Sequence, residues 1–212
     1  MAMRIGIVSQ KGGVGKSTLA RALAIEFARN GYSVKIADMD LKQKTATEWN
    51  CVRMEAQLQP EVSVEPFARV KDVLKQQHLY DLIIFDGAGQ ADTQTLEIAQ
   101  QVDYIILPTG VGRDDLLPQV KLAHELRRNR IARDRIAFTL SRVGGSEAEQ
   151  QAAAEFIEDA GYWVAGLIQE RTSISQCHDS GLAANETRYE TINQVIDQLI
   201  QQIGDKISKV TA

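Results

Sequence analysis

The sequence predicts an α/β protein: a mostly parallel, twisted sheet flanked by helices on both faces. Three observations carry that prediction. Seven short apolar runs, rich in β-branched residues, alternate with longer segments of helical period. Glycines stand where several of those helices would end. The polar motifs follow directly on the apolar runs, at the strand ends where such folds bind ligands.

The runs are Ile5–Val8, Val34–Ala37, Val62–Val64, Leu82–Phe85, Tyr104–Leu107, Ile136–Leu140 and Trp163–Leu167. Their length and composition suit strands buried on both faces. Between them the helical period predicts helices over Ser17–Asn30, Lys42–Leu58, Arg69–Leu79, Thr93–Val102, Asp114–Asn129 and Glu147–Ala160. Gly31 and Gly161 fall at C-cap positions. A last helix over Thr191–Ile207 places Ile192, Val195, Ile196, Leu199, Ile200 and Ile203 on one stripe.

The 212 residues contain no repeat and no Ser/Gly/Pro-rich linker, so residues 1–212 read as one domain. Apolar residues are 44% and charged residues 25%, which excludes disorder and collagen-like architectures. A formal net charge of −4 excludes a globally basic nucleic-acid binder but leaves room for a local basic patch. Cys51 and Cys177 are isolated, giving neither a disulfide framework nor a zinc motif and suiting a reducing, cytoplasmic setting. The N-terminal apolar run is too short for a signal peptide, and no stretch approaches 18 apolar residues. His78, His124 and His178 lack metal spacing, and Trp49 and Trp163 read as packing residues.

The first run leads straight into Gln10-Lys11-Gly12-Gly13-Val14-Gly15-Lys16-Ser17-Thr18, and a helix follows. Strand, glycine-rich loop, helix is the context of a phosphate cradle, and hence of a P-loop NTPase fold. The glycines let backbone N–H groups turn inward, and the helix N-terminus adds partial positive charge. Lys16 would reach the β- and γ-phosphates of ATP, and the Ser17 hydroxyl would ligate Mg²⁺. The fourth run ends Leu82-Ile83-Ile84-Phe85-Asp86, four apolar residues and then a carboxylate able to hold the same ion. The second run ends Asp38-Met39-Asp40, a pair of carboxylates at a strand end, each able to accept hydrogen bonds there.

Gln10 stands where the general P-loop has its first glycine, and Lys11 adds a second lysine. The loop thereby resembles the deviant Walker A ATPases, the family of ParA and MinD, and the likeness extends over nearly the whole chain. The resemblance implies that Lys11 crosses an ATP-sandwiched homodimer to the partner's nucleotide, in the role of an arginine finger. It implies that Asp40 orients water and that Asp38 sits near Mg²⁺. Here the family has Asp-x-Asp-Pro-Gln; this chain lacks the Pro and carries Leu41-Lys42 before Gln43, with Thr47 and Trp49 following. Gly87-Ala88-Gly89 is similar to the switch of short ParA proteins. In the fifth loop Pro108 and Asp115 match the family and residues 111–113 do not. Ser141 and Arg142, after the sixth run, would lie against the nucleotide by the same resemblance, or serve as a plain loop cap.

Among members the loop start favours a ParA-type partition ATPase. Such a protein dimerises on ATP, binds DNA without sequence preference, associates with the nucleoid, and is released when a small centromere-binding or adaptor partner stimulates slow hydrolysis. The alternatives are a positioning ATPase for a protein cluster or conjugation machinery, a MinD-like membrane-surface ATPase, and a metabolic or metal-cluster ATPase. The terminal segment has two lysines and no aromatic residue, which argues against a membrane anchor. The isolated cysteines argue against a metal cluster. Between Lys121 and Arg135 six cations face two carboxylates, so Arg127, Arg128 and Arg130 are candidate DNA contacts. A helix C-terminus that merely favours cations is the competing reading. Arg171 and Arg188 are further candidates in the C-terminal third. The low aromatic content argues against a single-strand stacking module.

Overall fold

A computed structural model describes residues 2–89 and 93–211. The strands are β1 (Met3–Ile7), β2 (Val34–Asp38), β3 (Ser63–Pro66), β4 (Leu82–Asp86), β5 (Tyr104–Thr109), β6 (Ile136–Val143) and β7 (Trp163–Gln169). The helices are α1 (Lys16–Arg29), α2 (Thr45–Glu55), α3 (Val70–Leu74), α4 (Thr93–Gln101), α5 (Arg113–Arg128), α6 (Glu147–Asp159), α7 (Thr172–Asp179) and α8 (Glu190–Thr211). All seven strands pair in parallel in the order β3-β2-β4-β1-β5-β6-β7. Each predicted apolar run became a strand. The central ones, β1, β2, β4 and β5, are buried nearly throughout because helices cover both faces.

The two faces hold separate apolar cores. On one, α1, α2, α7 and α8 pack Leu19, Leu23, Trp49, Ile174, Leu199 and Ile203 against Ile5, Ile7, Ile36 and Ile84. On the other, α3 to α6 bury Val73, Ile98, Val120, Leu126 and Ile157 against Ile83, Phe85, Ile105 and Phe138. Alternate strand residues face opposite cores, as the two-residue period requires. The α8 stripe is buried from Ile196 to Ile207, but Val195 is half exposed and lies off it.

The helix boundaries show what local chemistry overrides. The predicted helix over residues 42–58 begins only at Thr45, because the Asp40 carboxylate takes the N–H groups of Lys42 and Gln43 and Lys44 turns left-handed at φ 50°. The segment 69–79 is cut to α3 and a single 3₁₀ turn over Gln77–Leu79. Helix α7 is absent from the sequence reading; only Ile174 and Cys177 mark its buried side, too few to reveal a period. Ser146 and Glu149 form a reciprocal capping box at the start of α6. Gly31 and Gly161 end α1 and α6 as expected.

Arg53 locks α2 to the segment between α7 and α8. It is 1% exposed and meets both carboxylate oxygens of Glu186 at 2.8 and 3.2 Å. Its remaining donors go to the carbonyls of Pro60 and Gly181. Trp49 lies 5.4 Å from the Arg21 guanidinium and 5.6 Å from that of Arg53, with its indole N–H donated to Leu182 O. Arg53→Ala leaves Glu186 without its main partner and is expected to cost about 3–5 kcal/mol in urea unfolding. Arg69→Ala, which breaks an exposed pair with Asp72, should leave the midpoint unmoved. Equal effects would remove the ranking by burial.

Candidate functional site

β1 delivers the chain to the centre of the sheet's C-terminal edge, and the glycine-rich loop turns there into α1. Gly15, immediately before the helix, has φ 92°, and a Cβ placed on it would lie 2.9 Å from that of Ser141. No side chain fits there. The loop wraps a pocket of about 250 Å³ lined by Gly12, Gly13, Gly15, Lys16, Ser17 and Thr18, closed by Asp40, Gln43, Thr45, Gly87, Gly89 and Arg142. Gly89 reaches to within 3.2 Å of the Gly12 Cα, measured from an ideal Cβ, so the segment after β4 lies directly on the loop. Val14 is buried beneath it.

Asp38 and Asp86 end neighbouring strands in direct register, both almost fully buried. Thr47 holds Asp38 Oδ2 through its N–H and its hydroxyl, at 3.0 and 2.8 Å. Asp86 Oδ1 has no hydrogen-bond partner among the described residues. Burial pushes the Asp86 carboxyl up to about 7, and the Asp38 charge adds to the rise. Ser17, Lys16 and Arg21 oppose it. Lys16 is 7% exposed, and burial lowers its ammonium, against the pull of Asp86 and Asp40. Its Nζ donates to Lys11 O at 3.2 Å. An unpaired buried carboxylate oxygen beside a hydroxyl and a second carboxylate fits a hard divalent cation that keeps waters and binds phosphate. Ser17 and Asp86, with Asp38 behind them, would hold Mg²⁺.

Two further residues lie at the site: Arg21, which no motif marks, and His178, which the sequence analysis sets aside for lack of metal spacing. Arg21, five residues beyond Lys16 on α1, is buried and donates to Thr45 O at 2.5 Å. It thereby ties the start of α2 to α1, and Thr45 Oγ1 lies 3.4 Å from Ser17 Oγ. Burial and the Arg21 charge push His178 down to about 4. His178 lines a second pocket of about 110 Å³ with Thr18, Ser141, Arg142, Glu170 and Arg171. Ser141 Oγ and His178 Nε2 are buried there with no partner among the described residues. Arg142 donates to Gly13 O at 2.9 Å and pairs with Glu170 at 2.7 Å, so it braces the loop from β6.

The two loop lysines occupy opposite environments. Lys16 points into the cradle. Lys11 sits on the rim, its side chain 41% exposed, and pairs with Asp115 of α5 at 2.9 Å. Asp40 stands at the pocket mouth, partly exposed, capping the turn that leads to Gln43. The basic residues divide in two. Arg127, Arg128 and Arg130 are exposed at the C-terminal end of α5, the far side of the sheet from the glycine loop. Arg171 opens α7 at the C-terminal end of β7, and Arg188 precedes α8, whose first turn packs beside the same strand end.

Residues 5–184 match the family profile of the CobQ/CobB/MinD/ParA nucleotide binding domain. The septum site-determining protein MinD of Pyrococcus horikoshii OT3, solved with Mg-ADP, superposes with a TM-score of 0.77 at 21% identity, covering 100% of this chain and 99% of that one. A Borrelia burgdorferi B31 protein assigned to plasmid partition, bound to AMPPNP, superposes with a TM-score of 0.75 at 19% identity, covering 97% and 100%. An iron-sulfur cluster carrier protein of Clostridium perfringens is 51% identical over 37 residues, only 18% of this chain and 13% of that protein's length.

The Asp86 shift sets a pH dependence in the nucleotide-free protein. The folded state keeps a proton that the unfolded chain releases above its ordinary value of 3.8. Its stabilising contribution is therefore complete below about pH 4 and lost as pH rises through about 7. Asp86→Asn should be more stable than the parent at pH 8, with the gap closing by pH 4, in thermal unfolding with EDTA. His178 acts in the opposite direction but is common to both proteins and cancels in the difference. A gap independent of pH would show that Asp86 is charged throughout.

Proposed function

The chain belongs to the CobQ/CobB/MinD/ParA nucleotide-binding family of ATPases, and from that premise we propose that it is a Mg²⁺-dependent, ParA-type partition ATPase. The observation that carries this reading is the split between the two lysines of one loop. Lys16 is buried toward the strand-end carboxylates, while Lys11 is held at the surface by Asp115. A lysine that served its own nucleotide would have no reason to be on the rim. One placed there can enter a facing site.

In this reading the loop amides from Gly12 to Thr18 and the Lys16 ammonium hold the β- and γ-phosphates of ATP. Ser17 and Asp86 would hold Mg²⁺, whose charge would offset that of the β- and γ-phosphates. Asp40, at the open mouth of the pocket, accepts a hydrogen bond from the attacking water and orients it. Ser141 and Arg142 flank the nucleoside, with Arg142 already bonded to the loop carbonyl of Gly13. Lys11 leaves Asp115 and reaches the partner's phosphates, so pairing of two chains depends on ATP. Catalysis is then positioning and electrostatics, completed by a second copy and accelerated by an adaptor protein.

The ATP-bound dimer would bind DNA without sequence preference through exposed arginines, with Arg127, Arg128 and Arg130 forming one patch on each copy, at the end remote from the paired loops. Arg171 and Arg188 stand at the other end of the sheet and would serve as a second contact. No described helix is long and apolar enough to cross a membrane, and the α8 stripe that a surface anchor would need lies in the core.

Random-sequence DNA binding measured with ATP, ADP or no nucleotide, at two salt concentrations, tests the switch. Binding should require ATP and fall steeply with salt; three arginine contacts on each patch imply a loss of about fortyfold between 50 and 200 mM. Arg127→Ala/Arg128→Ala/Arg130→Ala should flatten the salt dependence without changing ATP hydrolysis. Failure to bind DNA in every state would redirect the ATPase to a protein or lipid surface. Lys16→Ala should abolish nucleotide binding, whereas Lys11→Ala should retain it and lose ATP-dependent dimerisation in light scattering. Retained nucleotide binding by Lys16→Ala would remove the cradle assignment.

A further inference from the structure

We infer that Gln119 of α5 is a positioning residue that aims Lys11, by supplying a rung of the sheet that the neighbouring strand cannot make. The argument begins with the β1–β5 ladder. Ile7 pairs with Ile106, and the Val8 N–H donates to Ile106 O at 3.2 Å. In a parallel ladder the next bond returns to the Val8 carbonyl from the amide two residues further along β5. That residue is Pro108, which has no N–H. The strand should end there, with a buried carbonyl stranded.

The Gln119 side chain takes over. It is 2% exposed, and its Nε2 donates to Val8 O at 3.0 Å while its Oε1 accepts from the Gln10 N–H at 3.2 Å. A donor to residue 8 and an acceptor for residue 10 is the pattern that the N–H and C=O of one residue present across a parallel ladder. The side-chain amide thus stands in for backbone and holds the chain beyond the end of β1 as far as Gln10, where it bends. The same Oε1 accepts from Ser9 Oγ at 3.2 Å, and Ser9 Oγ in turn accepts from the Lys11 N–H at 3.1 Å. Val8, Ser9, Gln10 and Lys11 are fixed in sequence by one amide. One turn earlier on the same helix face, Asp115 holds the Lys11 ammonium. Only a planar group with a donor and an acceptor can do this, so neither Glu nor Leu substitutes.

Gln119 touches no phosphate and acts through Lys11, so the inference rests on the trans role proposed for that lysine. The phosphate cradle from Gly12 to Thr18 is held mainly by α1 and Arg142, with the Lys16 Nζ bond to Lys11 O as its tie to the relay. A purely structural role would weaken all nucleotide binding together; an aiming role would spare ADP and reduce what Lys11 does. The experiment is a double-mutant cycle in the full chain: Lys11→Ala, Gln119→Leu and the pair, read as ADP affinity by titration and as single-turnover ATP hydrolysis at saturating ATP. Gln119→Leu is expected to keep ADP affinity within about threefold and to lower hydrolysis about tenfold. In the Lys11→Ala background it should lower hydrolysis no further. Ser9→Ala, a smaller change inside the same relay, should give a weaker version of the same split and stands in if Gln119→Leu fails to fold. Full additivity with Lys11→Ala, or a parallel loss of ADP affinity, would overturn the aiming role while leaving Lys11 its own. An inert Lys11→Ala would instead overturn the trans role of the lysine, and the Gln119 inference with it.

Discussion

The structure depends on the cost of placing two carboxylates side by side where a parallel sheet ends. Asp38 and Asp86 are in register on adjacent strands and almost wholly withdrawn from water. Like charges so placed cannot both ionise cheaply. The surroundings answer that cost piece by piece. Thr47 saturates one oxygen of Asp38, Lys16 and Arg21 supply buried positive charge, and the Asp86 carboxyl is shifted toward neutrality. Among the described residues, Asp86 Oδ1 has no hydrogen-bond partner. A ligand that brings both a divalent cation and phosphate oxygens matches that deficit in charge and in hydrogen bonding at once. The strand order that forces the two residues together is thus part of the site's chemistry.

Much of this was legible in the sequence because strong local signals coincided with the tertiary need. Seven apolar runs gave seven strands, since a strand buried on both faces must be apolar throughout. The loop from Gln10 to Thr18 was legible because glycine, lysine and serine are each required there by a different physical demand. Helix α2 was misjudged because its period extends into residues whose N–H groups are captured by the Asp40 side chain. Helix α7 was invisible because eight residues with two buried positions carry no usable period.

The parts of the site that the sequence hid are those made by long-range packing. Arg21 lies in an ordinary-looking helical stretch, and only the fold brings α2 to it. Gln119 looks like a polar residue on an amphipathic helix, yet it is more deeply buried than several of its apolar neighbours. His178 sits on α7, the helix that was not foreseen, and reaches the pocket beside Ser141 only because that helix exists. The division of the arginines also follows from topology: α5 runs back along the sheet, so its last turn ends far from the loop its first turn touches.

The two apolar cores described above have a mechanical consequence. Helix α1, which grows out of the glycine loop, belongs to one layer; α5, which grips the loop's first residues, belongs to the other. The loop is the place where the two layers are stitched together across the sheet. Sliding of one layer past the other would strain the stretch between Val8 and Lys16, and conversely whatever fills the loop bears on the offset of the layers. A signal arriving on the outer surface of either layer therefore has a short route to the loop, covalent through α1 and hydrogen-bonded through Gln119 and Asp115 of α5.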